Sequence, residues 1–265
     1  MNVVTPISHL TMLARFLRSR DDITRPAATP DDTVVYAIGD IHGRLDLMAE
    51  IHELIANHAR KAGRSRRVIV YLGDLVDRGP QSREVVEQLI ASPMRDFETI
   101  YLKGNHEDAM LRFLDDTSIG RSWLGFGGAA TLESYGVDLH GRPPEDMSWL
   151  SYVQAEFRQC MPAHHRDFYR RMKLCHVEGE YFFVHAGVRP GVTLEAQEAD
   201  DMMWIRDEFL DSQEDFGKIV VHGHSIRNRP DFRPNRIGID TGAVFSGVLT
   251  CLALAGEERR VLKTG

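Results

Sequence analysis

The stretch Gly73-Asp74-Leu75-Val76-Asp77-Arg78-Gly79 decides how this chain is read. It follows Val68-Ile69-Val70-Tyr71-Leu72, a short β-branched apolar run that suits a buried parallel strand. A strand ending in Gly-Asp delivers a carboxylate to the carboxyl edge of the sheet, where open α/β sheets bind ligands. A second acid, Asp77, and a cation, Arg78, stand in the same loop. The flanking glycines allow a tight turn and close approach of a ligand.

The design occurs twice more. Val34-Val35-Tyr36-Ala37-Ile38 runs into Gly39-Asp40-Ile41-His42-Gly43-Arg44, and Thr99-Ile100-Tyr101-Leu102 into Lys103-Gly104-Asn105-His106-Glu107. Three such loops in order, about thirty residues apart, point to one composite site. Later apolar runs end in His185-Ala186-Gly187 and His222-Gly223-His224.

The surroundings are those of an ordinary α/β enzyme. The chain has 265 residues, 43% hydrophobic and 27% charged, enough for a sizeable core. A net charge of −7 argues against a surface built to coat nucleic acid. The three cysteines match no zinc-binding or CxxC spacing and read as reduced thiols. With neither a membrane-length apolar run nor a secretory pattern, the expected location is cytoplasmic, with no membrane partner.

Residues 1–33 read as an N-terminal arm and linker, with a short amphipathic helix around Ile7, Leu10, Leu13 and Leu17. Residues 34–265 read as the catalytic domain. Residues 45–62, 82–89 and 107–114 have the spacing of crossover helices. From 116 to 172 the β-α rhythm lapses into a helical insertion, the expected place for substrate selection. Residues 236–240 and 247–254 read as closing strands of a second sheet.

Asp40, His42, Asp74, Asn105, His185 and His224 are oxygen and imidazole donors at strand ends. They suit two divalent ions, most simply manganese, with iron, zinc or cobalt as alternatives. Two such ions about 3.5–4 Å apart clamp a phosphate and turn a bridging water into a hydroxide nucleophile. The expected reaction is direct in-line hydrolysis. His106 would protonate the leaving group, with Asp77 holding its tautomer; Arg78 and Arg206 would grip phosphate oxygens.

These motifs resemble the phosphoprotein phosphatase (PPP) branch of the calcineurin-like metallophosphoesterases. Its GDxHG, GDxxDRG and GNHE signatures stand at residues 39–43, 73–79 and 104–107, and the likeness extends over residues 34–254. The resemblance implies an α/β fold, a β-sandwich flanked by helices. It places Asp40, His42 and Asp74 on one metal, and Asp74, Asn105, His185 and His224 on the other. It implies His106 with Asp77 as the acid pair and Arg78 with Arg206 as the phosphate clamp. Lys103 departs from the arginine frequent in relatives, and only Trp204-Ile205-Arg206 anchors Arg206.

The bacterial and phage type of serine/threonine protein phosphatase is the leading expectation, with phosphorylated protein or peptide as partner. Dinucleoside polyphosphate (diadenosine tetraphosphate) hydrolysis is the rival, with broad small-molecule phosphatase activity and a non-catalytic scaffold behind it. Glu107 and His42 favour the phosphomonoesterase, because the dinucleotide branch usually has Asp at the first position and often replaces the histidine at the second.

Overall fold

The computed structural model describes residues 27–139 and 147–265. The amphipathic helix expected near Ile7 and residues 140–146 of the expected 116–172 insertion lie outside the described residues. In chain order the strands are β1 (Thr33–Ile38), β2 (Arg66–Tyr71), β3 (Glu98–Tyr101), β4 (Cys175–Glu178), β5 (Tyr181–Val184), β6 (Ile219–His222), β7 (Asp231–Phe232), β8 (Arg236–Gly238), β9 (Thr250–Ala255) and β10 (Glu258–Lys263). Among the described residues they form two five-stranded sheets, β10-β9-β1-β2-β3 and β4-β5-β6-β8-β7.

The sheets stack because their inner strands are apolar on the facing sides. Along β1, Val35 and Ala37 join Tyr181, Phe183, Val221 and Ile237 in the layer between the sheets. Val34, Tyr36 and Ile38 point the other way, into helices α1 (Leu45–Ala62) and α2 (Ser82–Ala91). Every residue from 34 to 38 is fully buried. The parallel pairing of β1, β2 and β3 sets their carboxyl ends side by side.

The helical insertion follows α3 (Asn105–Asp115). It comprises α4 (Gly120–Trp123), a single π turn over Leu124–Gly128, α5 (Ala129–Ser134), α6 (Met147–Cys160) and α7 (Ala163–Arg171). Its rings Trp123, Phe157 and Tyr135 pack with Phe113 of α3 in the helical core.

One strand assignment changes. Residues 247–254 were expected in the second sheet, but β9 lies antiparallel to β1 in the first, with Cys251 opposite Ile38. Leu252 and Leu254 fill the layer between the sheets while Cys251 and Ala253 face the helices. A run apolar on both faces fits an inner position in either sheet, so its sequence does not name its neighbour. The edge strand β10 carries the charges that protect an open edge, which hid it from a hydrophobic reading.

The described part of the expected linker is stitched to both sheets. Glu180 N–H donates to Ala28 O at 2.9 Å, and Thr29 N–H to Gly256 O at 3.1 Å.

Candidate active site

The loops after β1, β2 and β3 are hydrogen-bonded into one floor. Ile41 and His42 N–H donate to Asp74 O at 3.1 and 2.9 Å, and Gly43 N–H to Leu75 O at 2.8 Å. Glu107, wholly buried, accepts four backbone N–H groups: Leu75 and Val76 on Oε1 at 2.7 and 3.3 Å, Asp74 and Gly104 on Oε2 at 2.9 and 2.8 Å. The packing leaves no room for a side chain at Gly104, where a Cβ would stand 2.1 Å from Asp74 Oδ1. His42, Asp74, Asp77, Arg78 and His224 all have positive φ, between 47° and 71°. Five non-glycine residues in that region mark backbone strain concentrated at one place, as functional sites show.

Asp74 lies at the centre. Its Oδ2 is 3.4 Å from His185 Nε2, 3.7 Å from His42 Nε2 and 3.8 Å from His106 Nε2. His185 Nε2 is also 3.0 Å from Asn105 Oδ1. His42 and His185 spend Nδ1 on the carbonyls of Val76 and Leu72 at 2.7 and 2.8 Å, which aims Nε2 at Asp74. His224 Nε2 is buried without a hydrogen-bond partner among the described residues. Among the described residues, His42, Asp74 and His106 form one group with ligand atoms within 4.8 Å of one another, and Asp74, His185 and His224 form another. Asp40 stands alongside, accepting from His224 N–H at 3.0 Å.

The electrostatics follow from crowding acids and imidazoles in a buried place. Burial and the neighbouring Asp240 push Asp40 well above the usual carboxylate range. Burial alone would raise Asp74 too, but the His185 and His106 imidazoles hold it well below. Burial lowers His42 to about 3, leaving its ring neutral. For His106, burial is outweighed by the Asp74 and Asp77 carboxylates, so its pKa is raised.

His106 Nδ1 donates to Asp77 Oδ2 at 2.7 Å. What completes Asp77 comes from the insertion. Trp123 Nε1 donates to Oδ2 at 2.9 Å, and Thr131 Oγ1 donates to Oδ1 at 2.6 Å. Arg78 N–H donates to Gly127 O at 3.0 Å, and its Nη1 reaches His42 Nε2 at 2.6 Å. Gly127 has φ 107°, and a Cβ there would lie 2.7 Å from Arg78 Cγ. Trp123, Gly127 and Thr131 escaped the sequence reading. The glycines and aromatics of residues 120–128 were the available signal, but nothing in them named Asp77 as the partner.

Other candidates sort by position. Arg206 is exposed and makes no ion pair with its acidic neighbours among the described residues, yet its charge contributes to lowering His224. His222 stands edge-on to Phe209, ring centroids 5.0 Å apart. Arg44 pairs with Asp46 and reaches Ala243 O at 3.2 Å. Asp240 accepts Gly242 N–H at 2.8 Å, as a turn-former does. His52 and His58 bond the hydroxyls of Tyr71 and Tyr36 within the fold.

Residues 33–238 match the family model described as calcineurin-like phosphoesterase. The chain belongs to that family. It is therefore a metallophosphoesterase, a phosphoester hydrolase. Curated relatives include a bis(5'-nucleosyl)-tetraphosphatase (asymmetrical) of Halalkalibacterium halodurans, 27% identical over 236 residues, covering 81% of this chain and 87% of the relative. One of the same name from Bacillus thuringiensis is 27% identical over 226 residues, covering 81% and 88%. Among solved structures, a candidate diadenosine tetraphosphatase superposes with TM-score 0.58 at 19% identity, covering 91% of this metallophosphoesterase and 99% of that chain. A cold-active protein-tyrosine phosphatase of a psychrophilic Shewanella gives 0.50 at 17%, covering 89% and 83%. At these identities the structural likeness establishes the fold alone. No described helix is long and apolar enough to cross a membrane.

Proposed function

We propose that this metallophosphoesterase hydrolyses the phosphoanhydride chain of dinucleoside polyphosphates. The similarity to bis(5'-nucleosyl)-tetraphosphatases over four-fifths of the chain carries this reading. The expectation of a protein phosphatase rested partly on Glu107. That carboxylate faces inward onto four backbone amides, so it has no means of sensing the substrate.

The rim supports the same reading. Phe126, 39% exposed, sets its ring 6.2 Å from His106 and 5.8 Å from Trp204. Phe245, 71% exposed, lies 6.0 Å from the Arg78 guanidinium. Solvent-facing rings beside an arginine at the mouth of a phosphate site suit base stacking, since every base offers a π-face.

The donor set fits two divalent ions. His42 and His185 are oriented through Nδ1, and the buried His224 Nε2 lacks a partner among the described residues. Held by Asp40, His42, Asp74, Asn105, His185 and His224, ions of the manganese, iron, zinc or cobalt type would supply Lewis acidity and an activated water. Arg78 then turns from His42 Nε2 to the phosphate oxygens, pivoting on a backbone fixed by Gly127. Arg206 offers a second cation from the rim. His106, its Nδ1–H bonded to Asp77 and its imidazolium favoured by the Asp74 and Asp77 carboxylates, presents Nε2–H to the departing oxygen and supplies that proton.

That acid pair favours a second reading, phosphoserine or phosphothreonine hydrolysis, because an alkoxide needs a proton far more than a phosphate does. The test is kcat/KM with manganese on diadenosine tetraphosphate, phosphoserine and phosphothreonine peptides and p-nitrophenyl phosphate. The dinucleotide should lead. Leading phosphopeptides would overturn the proposal in favour of the second reading.

A further inference from the structure

A second group of metal-binding side chains lies outside the catalytic cluster, where α7 meets α2. Glu87 Oε2 is 2.8 Å from His165 Nε2 and 3.1 Å from His164 Nε2. The ligand atoms of the three residues all lie within 4.8 Å of one another. We propose that Glu87, His164 and His165 form a third metal site, for zinc or a similar first-row ion, that clamps α7 to α2.

The chemistry of the donors supports this. Two imidazoles and one carboxylate suit a borderline ion such as zinc, bound tetrahedrally with water in the fourth place. Bond lengths of 2.0–2.1 Å put neighbouring tetrahedral ligands about 3.3 Å apart, so an ion needs Glu87 Oε2 to part from each histidine nitrogen by only a few tenths of an ångström. His165 is fully buried and its Nδ1 bonds the Tyr135 hydroxyl at 2.7 Å. A ligating histidine is fixed in just this way, through its other ring nitrogen. The Tyr135 hydroxyl is itself anchored 3.1 Å from that of Tyr169. Glu87 and His164 are each about half exposed. His164 also lines an open cavity of about 650 Å³ between α2, β3 and α7, which gives an ion a route in.

The site also has a mechanical link to the catalytic centre. Tyr135 holds His165 from just beyond the end of α5, and Thr131, one turn earlier in α5, holds Asp77. Ser82, the first residue of α2, accepts from Asp77 N–H at 3.0 Å. An ion joining α2 to α7 would therefore brace the elements that fix the acid pair.

The test is zinc content by mass spectrometry after dialysis at micromolar free zinc, in wild type and in the Glu87→Gln and His164→Ala variants. Both substitutions fall on half-exposed side chains outside the catalytic machinery. Each variant should hold one equivalent fewer than wild type and show a smaller zinc-induced rise in Tm. Zinc-soaked crystals of the wild type should give an anomalous peak between the three side chains. Equal zinc content in wild type and both folded variants, or no such peak, would overturn the proposal.

Discussion

Glu107→Gln would remove one carboxylate oxygen from the centre of the loop floor. Each oxygen accepts two backbone N–H groups, Leu75 and Val76 on Oε1, Asp74 and Gly104 on Oε2. A glutamine keeps one acceptor and turns an NH2 group toward two of those donors. No water reaches them, because Glu107 is wholly buried. Leaving a buried donor unsatisfied costs about 1–3 kcal/mol, so two cost about 2–6 kcal/mol. The variant regains part of this, because burial and the Asp74 charge raise the Glu107 pKa to about 7, so the ionised carboxylate is held at some expense. A net loss of about 2–4 kcal/mol is expected near neutral pH. Urea unfolding reads it as a lower midpoint at unchanged slope. Activity should fall on every substrate together, because either Asp74 and Gly104 or Leu75 and Val76 lose their anchor. The shorter Glu107→Asp should leave the ratio of dinucleotide to phosphopeptide turnover unchanged. A loss under about 0.5 kcal/mol, the range of an ordinary surface substitution, would refute the staple reasoning. A changed ratio would show that this position does sense the substrate.

Three further outcomes follow from the site. His106→Asn should lower kcat by about 10²–10⁴ on an alkyl phosphate and far less on p-nitrophenyl phosphate, whose leaving group needs little protonation; equal losses on both would remove its role as acid. The His106 pKa is raised partly by Asp77, and the acid must carry its proton, so activity is lost as pH rises through that value. Asp77→Asn removes a raising influence and should move this alkaline limb to lower pH, seen in a kcat–pH profile; an unmoved limb would assign it to another group. Phe245→Ala should raise KM for diadenosine tetraphosphate while leaving p-nitrophenyl phosphate untouched, and equal effects on both would deny the ring a part in base stacking.

The floor of the candidate site was legible because strand, glycine and ligand-type residue are contiguous in sequence. Asp40, Asp74 and Asn105 each follow a buried strand, and parallel pairing alone sets such strand ends side by side. Glycine marked the close contacts, as at Gly104 against Asp74. Local signals thus put His42, Asp74, His106 and His185 at strand ends of one site, whereas the two stacked sheets were implied only by the family resemblance. The partner of β9 was not, since a strand apolar on both faces fits between many neighbours. Substrate class was not legible either: Glu107 read as a mark of the phosphomonoesterase branch, whereas its side chain bonds the protein's own backbone.

What the sequence alone determined, then, is which residue types stand at which strand ends, because a strand and its loop are set by neighbours along the chain. What only the tertiary structure decided is who holds whom. Trp123 and Thr131 reach Asp77 across 46 and 54 residues, and Tyr135, His165 and Glu87 meet from three separate helical segments. Such contacts depend on how the insertion packs against α2 and α3. That packing is set by the shapes of rings such as Trp123, Phe113 and Phe157 and leaves no periodic trace in the chain.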